Sequence, residues 1–384
     1  MVTHASSKRG ILHEYGERAR GDGMKERSVL WVTKRYEWHA ATSGYDRITR
    51  AIAGPFADRD SISYDPRSLA RLMRWLVRVA IVRPKQAVRS DSYRATLDFF
   101  IRARLLTKRY RILHVTDVEA QLDLIESLKT RKLSVPIIGT CHMPPSRWQN
   151  EIRLADRLSS SFSALIVLSS SQKAYFDQRF QGRTFLIPYG VDTQYFKPDV
   201  RVRERGLCLF CGFWMRDYPT LARVIEIIHT KDPSVRFEVL IPLPGVDLAR
   251  EAGLRGGDRV RVRTGVSDEE LRMLYASASL LVMPLIDCTT NNTILEANAS
   301  GLPSVLSDVG GVRDYADETF ADFVPAGDAA AMADRVLRRL AEPESMHVRG
   351  AAARSFAQER LDWSKVAART LEAYDECIRD WENR

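Results

Sequence analysis

The stretch Leu280–Tyr315, LLVMPLIDCTTNNTILEANASGLPSVLSDVGGVRDY, leaves this chain few ways to fold. Four apolar residues, Leu280–Met283, are stopped by Pro284, and a polar loop follows over Asp287–Asn292. A helix is predicted from near Thr293 to Gly301-Leu-Pro, where glycine and proline end it. A second apolar segment, Ser304–Ser307, opens onto Asp308-Val-Gly-Gly. Strand, loop, helix, strand is a βαβ unit, and ligands of open parallel sheets bind at the carboxyl ends of the strands. The free N–H groups and positive dipole end at Thr293, Ile294 and Leu295 suit a phosphate. Glu296, placed in the first turn, would reach a neutral diol such as a ribose lying across the same helix end.

The same rhythm runs through the rest. Ser28–Thr33, Tyr110–Thr116, Val135–Thr140, Ala164–Ser169 and Thr184–Pro188 read as buried strands of one parallel α/β domain. Gly206–Cys211, Arg236–Ile241 and Arg259–Thr264 read as strands of a second, with a linker over Lys197–Arg205. Ser267, followed by Glu270, predicts a capping box at the helix before the opening motif. A further helix is expected from Asp328 to about Leu340, and another after the Glu359–Trp363 segment. At 384 residues and 45% apolar, the chain has enough core for two such domains.

Composition narrows the setting. No apolar run approaches the roughly 20 residues of a spanning helix, and Met1–Gly23 lacks a signal-peptide core. A cytoplasmic protein is expected, and five cysteines without a framework spacing agree with a reducing compartment. Cys208 and Cys211 form a CxxC inside an apolar strand with no partner pair, so no metal centre is expected. The net charge of +9 is unevenly spread: residues 1–200 carry 34 Lys and Arg against 20 Asp and Glu, residues 201–384 carry 24 against 29. A basic first half implies an anionic partner. In Pro66–Arg89 the residues Arg67, Arg71, Arg74 and Arg78 recur at helical spacing. This is either a helix packed on a sheet with a solvated basic face, or an amphipathic helix touching anionic lipid headgroups. In the second reading Arg102, Arg104, Lys108, Arg109 and Arg111 extend the patch. No nucleic-acid motif accompanies the charge, so lipid or a charged glycan explains it better than nucleic acid.

LEANASGLPSVLSDVGGVRDY resembles the LEAMACGLPVVATDVGG block of the retaining glycosyltransferases of family four, which have the GT-B fold. YGVDTQYFKP, from Tyr189, resembles that family's IPNGVD-x-x-x-F-x-P segment, and VSDEELRMLYASA its helix before the block. The resemblance covers Gly44–Arg384 and is strongest over Val266–Tyr315. It implies two Rossmann-like domains facing across a cleft: an arm over 1–27, an acceptor domain over 28–197, a donor domain over 198–363, and a last helix, 364–384, crossing back to the first.

The resemblance also assigns roles. The family's E-x7-E motif places Glu296 at the nucleotide ribose. Its first Glu, which contacts the donor sugar, is absent: Cys288 stands there with Asp287 beside it, and Asn291-Asn292 replace Gly-rich sequence. Asp287, Asn291 and Asn292 are candidates for that contact. The G-R-x-x-x-x-K-G loop that clamps the diphosphate is represented by Gly212 and by Arg216 at the Lys position, with Phe213 or Trp214 at the Arg. His142, in the pattern His-x-Pro-Pro after a strand, is implied to face the sugar or diphosphate, against the ordinary reading of a lone structural His. His39 has a weaker claim, and His114, inside a strand, reads as core. Ser43, Gly44 and Tyr45 follow the first strand as cleft candidates, with an ordinary turn glycine the alternative for Gly44. Asp117, Arg147 and Gly190 complete the acceptor side.

The activity implied is retaining transfer of a sugar from a nucleotide-diphospho-sugar, UDP- or GDP-linked, to a hydroxyl of a glycan, lipid-linked or small-molecule acceptor. No metal and no cofactor are implied, and the setting is cytoplasmic with peripheral attachment to membrane. The alternatives are a GT-B nucleotide-sugar epimerase and a degenerate-site binding protein held to membrane by its basic half.

Overall fold

The computed structural model describes residues 29–33, 44–53, 61–63, 101–106, 110–129, 133–150, 155–199 and 203–384. The arm over 1–27, the stretch Pro66–Arg89, His39, Ser43, Lys108 and Arg109 lie outside them.

Two six-stranded sheets, parallel throughout, carry the chain. The first comprises β1 (Val29–Thr33), β2 (Ser61–Ser63), β3 (Ile112–Val115), β4 (Ile137–Cys141), β5 (Ala164–Val167) and β6 (Arg183–Leu186), in the order β2-β1-β3-β4-β5-β6. The second comprises β7 (Leu207–Cys211), β8 (Arg236–Leu240), β9 (Val260–Arg263), β10 (Leu280–Met283), β11 (Ser304–Ser307) and β12 (Ala321–Val324), in the order β12-β11-β10-β7-β8-β9. Helices that position the site are α1 (Arg47–Ala53), α2 (Val118–Lys129), α3 (Pro145–Asn150), α4 (Ser170–Asp177), α5 (Tyr218–Lys231), α6 (Asp268–Ser277), α7 (Asn292–Ala299), α8 (Ala329–Leu340), α9 (Pro343–Phe356) and α10 (Trp363–Glu382). The capping box of Ser267 and Glu270 forms as expected, and Asp328 caps α8.

The central strands, such as β1, β3, β5, β7 and β10, are near-continuous apolar runs buried on both faces. Side chains alternate across a strand, so Val29 and Trp31 of β1 join one cluster while Leu30 and Val32 join another. The first of these clusters runs without a break into the second domain and includes Val366, Ala373, Tyr374 and Ile378 of α10. The last helix therefore belongs to the first sheet's core although its chain has just left the second domain.

Its anchor is polar. The Trp31 indole donates to the Tyr374 hydroxyl at 3.3 Å, the Tyr374 oxygen lies 2.6 Å from His114 Nδ1, and His114 Nε2 lies 2.8 Å from Thr140 Oγ1. Both ring nitrogens of His114 are held, one by Tyr374 and one by Thr140. Burial keeps the ring neutral, pushing the His114 pKa down to about 3. His114 is thus a core histidine, as its place inside a strand suggested. Arg111, by contrast, pairs with Glu382 at the end of α10, at 2.9 Å.

Tyr374→Phe should orphan two buried ring nitrogens, a cost of about 2 kcal/mol. Urea unfolding followed by tryptophan fluorescence should show an earlier transition; an unchanged midpoint would mean that packing alone holds α10 in place.

Candidate functional site

The order of the second sheet already points to a crevice. From β7 the chain moves outward to β8 and β9, then returns to build β10, β11 and β12 on the other side. Loops leaving adjacent strands at such a reversal diverge, and ligands of open α/β sheets bind there. The two loops are Gly212–Asp217 after β7 and Pro284–Asn291 after β10.

They are zipped together at their base. Asp217 N donates to Pro284 O at 3.1 Å, Ile286 N donates to Met215 O at 3.0 Å, and Arg216 bridges Leu285. Met215 has a φ of 56°, alone among the described non-glycine residues in being positive, and this turns the loop so that Arg216 folds back over the sheet edge. Gly212 has a φ of 103°, and a Cβ on it would lie 2.6 Å from the Arg216 guanidinium. Only glycine lets the arginine lie there.

The guanidinium donates to four neutral oxygens: Cys211 O (3.0 Å), Trp214 O (2.8 Å), Asn291 Oδ1 (3.0 Å) and Thr293 Oγ1 (3.3 Å). None of these carries charge, and no carboxylate ion-pairs with it among the described residues, so the positive charge is oriented but not neutralised. Burial lowers the Arg216 pKa, which an arginine tolerates without losing its proton.

The start of α7 differs in detail from expectation. The helix begins at Asn292, and Asn291 is its cap, accepting from Thr293 N at 3.1 Å. The N–H groups of Ile294 and Leu295 are bonded to Asn291 O, and both side chains are core. The three N–H groups expected to face an anion are therefore occupied. Those without an acceptor among the described residues belong to Thr289, Thr290, Asn291 and Asn292, one loop earlier, and the buried Thr289 hydroxyl lacks a partner as well. The run Thr-Thr-Asn-Asn was the available signal, since short polar residues before a helix supply caps and free amides.

Glu296 is the fifth residue of α7, in the second turn rather than the first. It is 6% exposed. Burial raises its pKa from 4.5 to about 8, while the Tyr275 hydroxyl and Arg216 pull it back and Asp268 pushes it further up. Burial thus favours the protonated form, and Arg216 acts on the carboxyl only as a lesser influence.

Across the cleft, the loop after β4 is tied from several sides. Glu119 Oε1 accepts from His142 N (2.6 Å) and Met143 N (2.7 Å), and Met143 O accepts from the Trp148 indole (3.1 Å) and Gln172 Nε2 (2.8 Å). His142 Nε2 lies 2.7 Å from Thr116 O. A carbonyl only accepts, so the proton sits on Nε2, and Nδ1 is a bare, buried acceptor with no partner. The ring stacks on Tyr45 at 3.6 Å between centroids, and burial lowers its pKa.

Among the remaining candidates, Asp117 is buried and accepts from Ala120 N at the start of α2, capping that helix. Gly190 packs under the Trp363 ring, where a Cβ would be 2.5 Å away. Gly44, with a φ of 122°, offers its carbonyl to the Tyr189 hydroxyl at 2.5 Å. Cys288 is buried, its thiol pushed up to about 12 by that burial. Arg147 reaches across to the second domain, 5.4 Å from the Trp214 ring centre. Asp287 accepts from Ser146, a residue the sequence did not single out.

Two parallel sheets facing a cleft, with the last helix returned to the first, make the GT-B fold. Solved structures agree: sucrose-phosphate synthase from Thermosynechococcus elongatus aligns over 92% of this chain and 100% of its own at a TM-score of 0.68 and 18% identity. HepE from Anabaena, in complex with UDP and glucose, aligns over 91% and 100% at 0.68 and 16%. Residues 62–195 match the model for Glycosyltransferase Family 4, and residues 207–342 that for glycosyl transferases group 1. The chain belongs to these family 4, group 1 glycosyltransferases, and it is a transferase. It is similar to the MMP alpha-(1->4)-mannosyltransferase of Mycolicibacterium hassiacum, 26% identical over 65% of this chain and 68% of that one. It is also similar to the D-inositol 3-phosphate glycosyltransferase of Streptomyces griseus, 30% identical over 43% of this chain and only 37% of that one.

The Glu296 shift has a sign. Between its unfolded pKa and about 8 the folded state alone holds the proton, so stability is full below pH 4.5 and falls as pH rises toward 8, at up to about 1.4 kcal/mol per pH unit. Glu296→Gln should therefore flatten the decline in melting temperature of ligand-free protein between pH 5 and 8. Parallel curves for the variant and wild type would show that Glu296 ionises normally.

Proposed function

We propose that the protein is a retaining, metal-independent glycosyltransferase that takes a sugar from a nucleotide-diphospho-sugar, UDP- or GDP-linked, to a hydroxyl acceptor. The observation that carries this is the Arg216 guanidinium, which has no carboxylate partner among the described residues, beside four backbone N–H groups at Thr289–Asn292 that have no acceptor among them. A fixed cation and a run of amides form a cradle for a diphosphate, and they favour it most when charge builds on it as the glycosidic bond breaks. Glu296, deeper on the same helix, takes the ribose hydroxyls; a hydroxyl donating to it favours the carboxylate. His142 Nδ1 accepts a hydroxyl of the sugar from the facing wall. The leaving phosphate takes the acceptor proton on the face it departs from, which retains configuration without a carboxylate nucleophile.

The acceptor is a glycan, a lipid-linked sugar or a small polyol, received by the first domain. HepE supports a UDP donor by binding UDP and glucose, and the relative from Mycolicibacterium hassiacum, a mannosyltransferase by name, supports a hexose as the transferred group. The basic first half suits an anionic acceptor or a membrane surface, where the protein would sit peripherally on the cytoplasmic face. No described helix is long and apolar enough to cross a membrane.

Thermal-shift measurements with UDP, GDP, ADP and CMP on wild type, Glu296→Ala and Arg216→Ala test the site. One nucleoside diphosphate should raise the melting temperature by several degrees. Arg216→Ala should weaken that ligand by roughly a hundredfold, as expected for losing a charge-assisted pair, and Glu296→Ala by about tenfold. Equal shifts in all three proteins would remove the site from this cleft.

A further inference from the structure

The carboxylate that the family motif places eight residues before Glu296 is missing, and its replacement, Cys288, is buried and neutral. A thiol there is a far weaker acceptor for sugar hydroxyls than a carboxylate. One residue earlier Asp287 remains partly exposed at the cleft, and both of its oxygens are held. Oδ1 accepts from Cys288 N at 2.7 Å, which fixes the carboxylate to its own loop. Oδ2 accepts from the Ser146 hydroxyl at 2.5 Å, and Ser146 belongs to the other domain. Gly310 closes over the pair, with a Cβ there falling 2.6 Å from Asp287 Oδ1 and 2.1 Å from Cys288 O.

Ser146 is not on a loose loop. It lies four residues beyond His142, on the turn clamped by Glu119, Trp148 and Gln172, and Pro144 O accepts from Arg147 N and Trp148 N directly after it. Ser146 is consequently held by the same contacts that hold the main chain at His142 and Met143. One carboxylate is oriented from two domains at once, and it keeps lone pairs beyond the two already used.

We propose that Ser146 is the positioning residue for donor-sugar recognition: it aims Asp287 at the sugar hydroxyls, so that the sugar is read only where the two domains meet. The inference rests on the nucleotide-sugar reading above and adds to it a division of labour. The second domain alone binds the nucleotide, and the Ser146–Asp287 pair binds the hexose. A carboxylate held in one orientation distinguishes an equatorial from an axial hydroxyl, since only one of the two presents its proton along an available lone pair.

Calorimetric titration of UDP, UDP-glucose, UDP-galactose, GDP and GDP-mannose tests this on wild type, Ser146→Ala, Ser146→Thr, Asp287→Asn and the double Ser146→Ala, Asp287→Asn variant. For the base that binds, Ser146→Ala should weaken the preferred nucleotide sugar roughly tenfold and leave the bare nucleotide unchanged. If the base is uracil, the ratio between the glucose and galactose donors should shrink as well. Ser146→Thr, which keeps the hydroxyl, should restore most of the loss, and the double variant should be no worse than Asp287→Asn because the two residues act as one. Equal weakening of nucleotide and nucleotide sugar, strictly additive losses, or no loss in Ser146→Ala would each overturn the assignment while leaving the nucleotide site standing. Absence of binding by either diphosphate would instead bring down the nucleotide-sugar reading, and this inference with it.

Discussion

A guanidinium surrounded by uncharged oxygens is the interaction on which the second domain's site depends. Arginine beside a carboxylate is electrically finished, whereas Arg216 is solvated by two main-chain carbonyls, an asparagine and a threonine. These bonds pay for much of its desolvation and leave its charge uncancelled. The unusual backbone nearby follows from that need: Met215 bends the loop back, and Gly212 clears space for the planar group. Asn291 contributes twice, capping α7 and orienting the arginine with the same oxygen. Glu296, on the same helix, is biased by burial toward its protonated form and makes no ion pair with the cation among the described residues.

Much of this architecture was legible in the sequence where apolar runs met strong punctuation. β10 and β11 fall where Leu280–Met283 and Ser304–Ser307 placed them, because proline and glycine bound each run. β2 and β12 were missed: Ser61–Ser63 is too short and polar to announce itself, and Ala321–Val324 is an edge strand with half-covered residues. The helix at Asn292 was foreseen to within a residue, but not which of its amides stay free. That depends on Asn291 folding its side chain onto Thr293, a choice that an asparagine in a polar loop does not reveal. Gly190 and Asp117 have local roles that the sequence does not announce: the glycine makes room for the Trp363 ring, and the aspartate caps the next helix.

Legibility failed most at contacts between the two halves. Ser146 lies 141 positions from Asp287, and nothing local marks it apart from the two prolines before it. Such pairs arise from the way two sheets face one another. The departure of the motif at Cys288 was visible from the start, yet its meaning needed the facing domain: the missing carboxylate has a neighbour whose orientation is supplied from outside its own fold unit.

The two sides of the cleft differ in how firmly they are joined. At its floor the Tyr315 hydroxyl donates to Leu168 O at 2.6 Å and accepts from Tyr189 N at 3.0 Å, while Asn298 Nδ2 holds the Tyr315 carbonyl at 2.7 Å. At the mouth the domains meet through side-chain ends, Ser146 with Asp287 and Arg147 with Trp214. The first domain's main chain grips one side chain of the second, through Leu168 O and Tyr189 N on the Tyr315 hydroxyl, whereas Ser146–Asp287 joins side chain to side chain. The Tyr315 contact can therefore be lost only by changing Tyr315 itself, while the other can be rewritten from either domain.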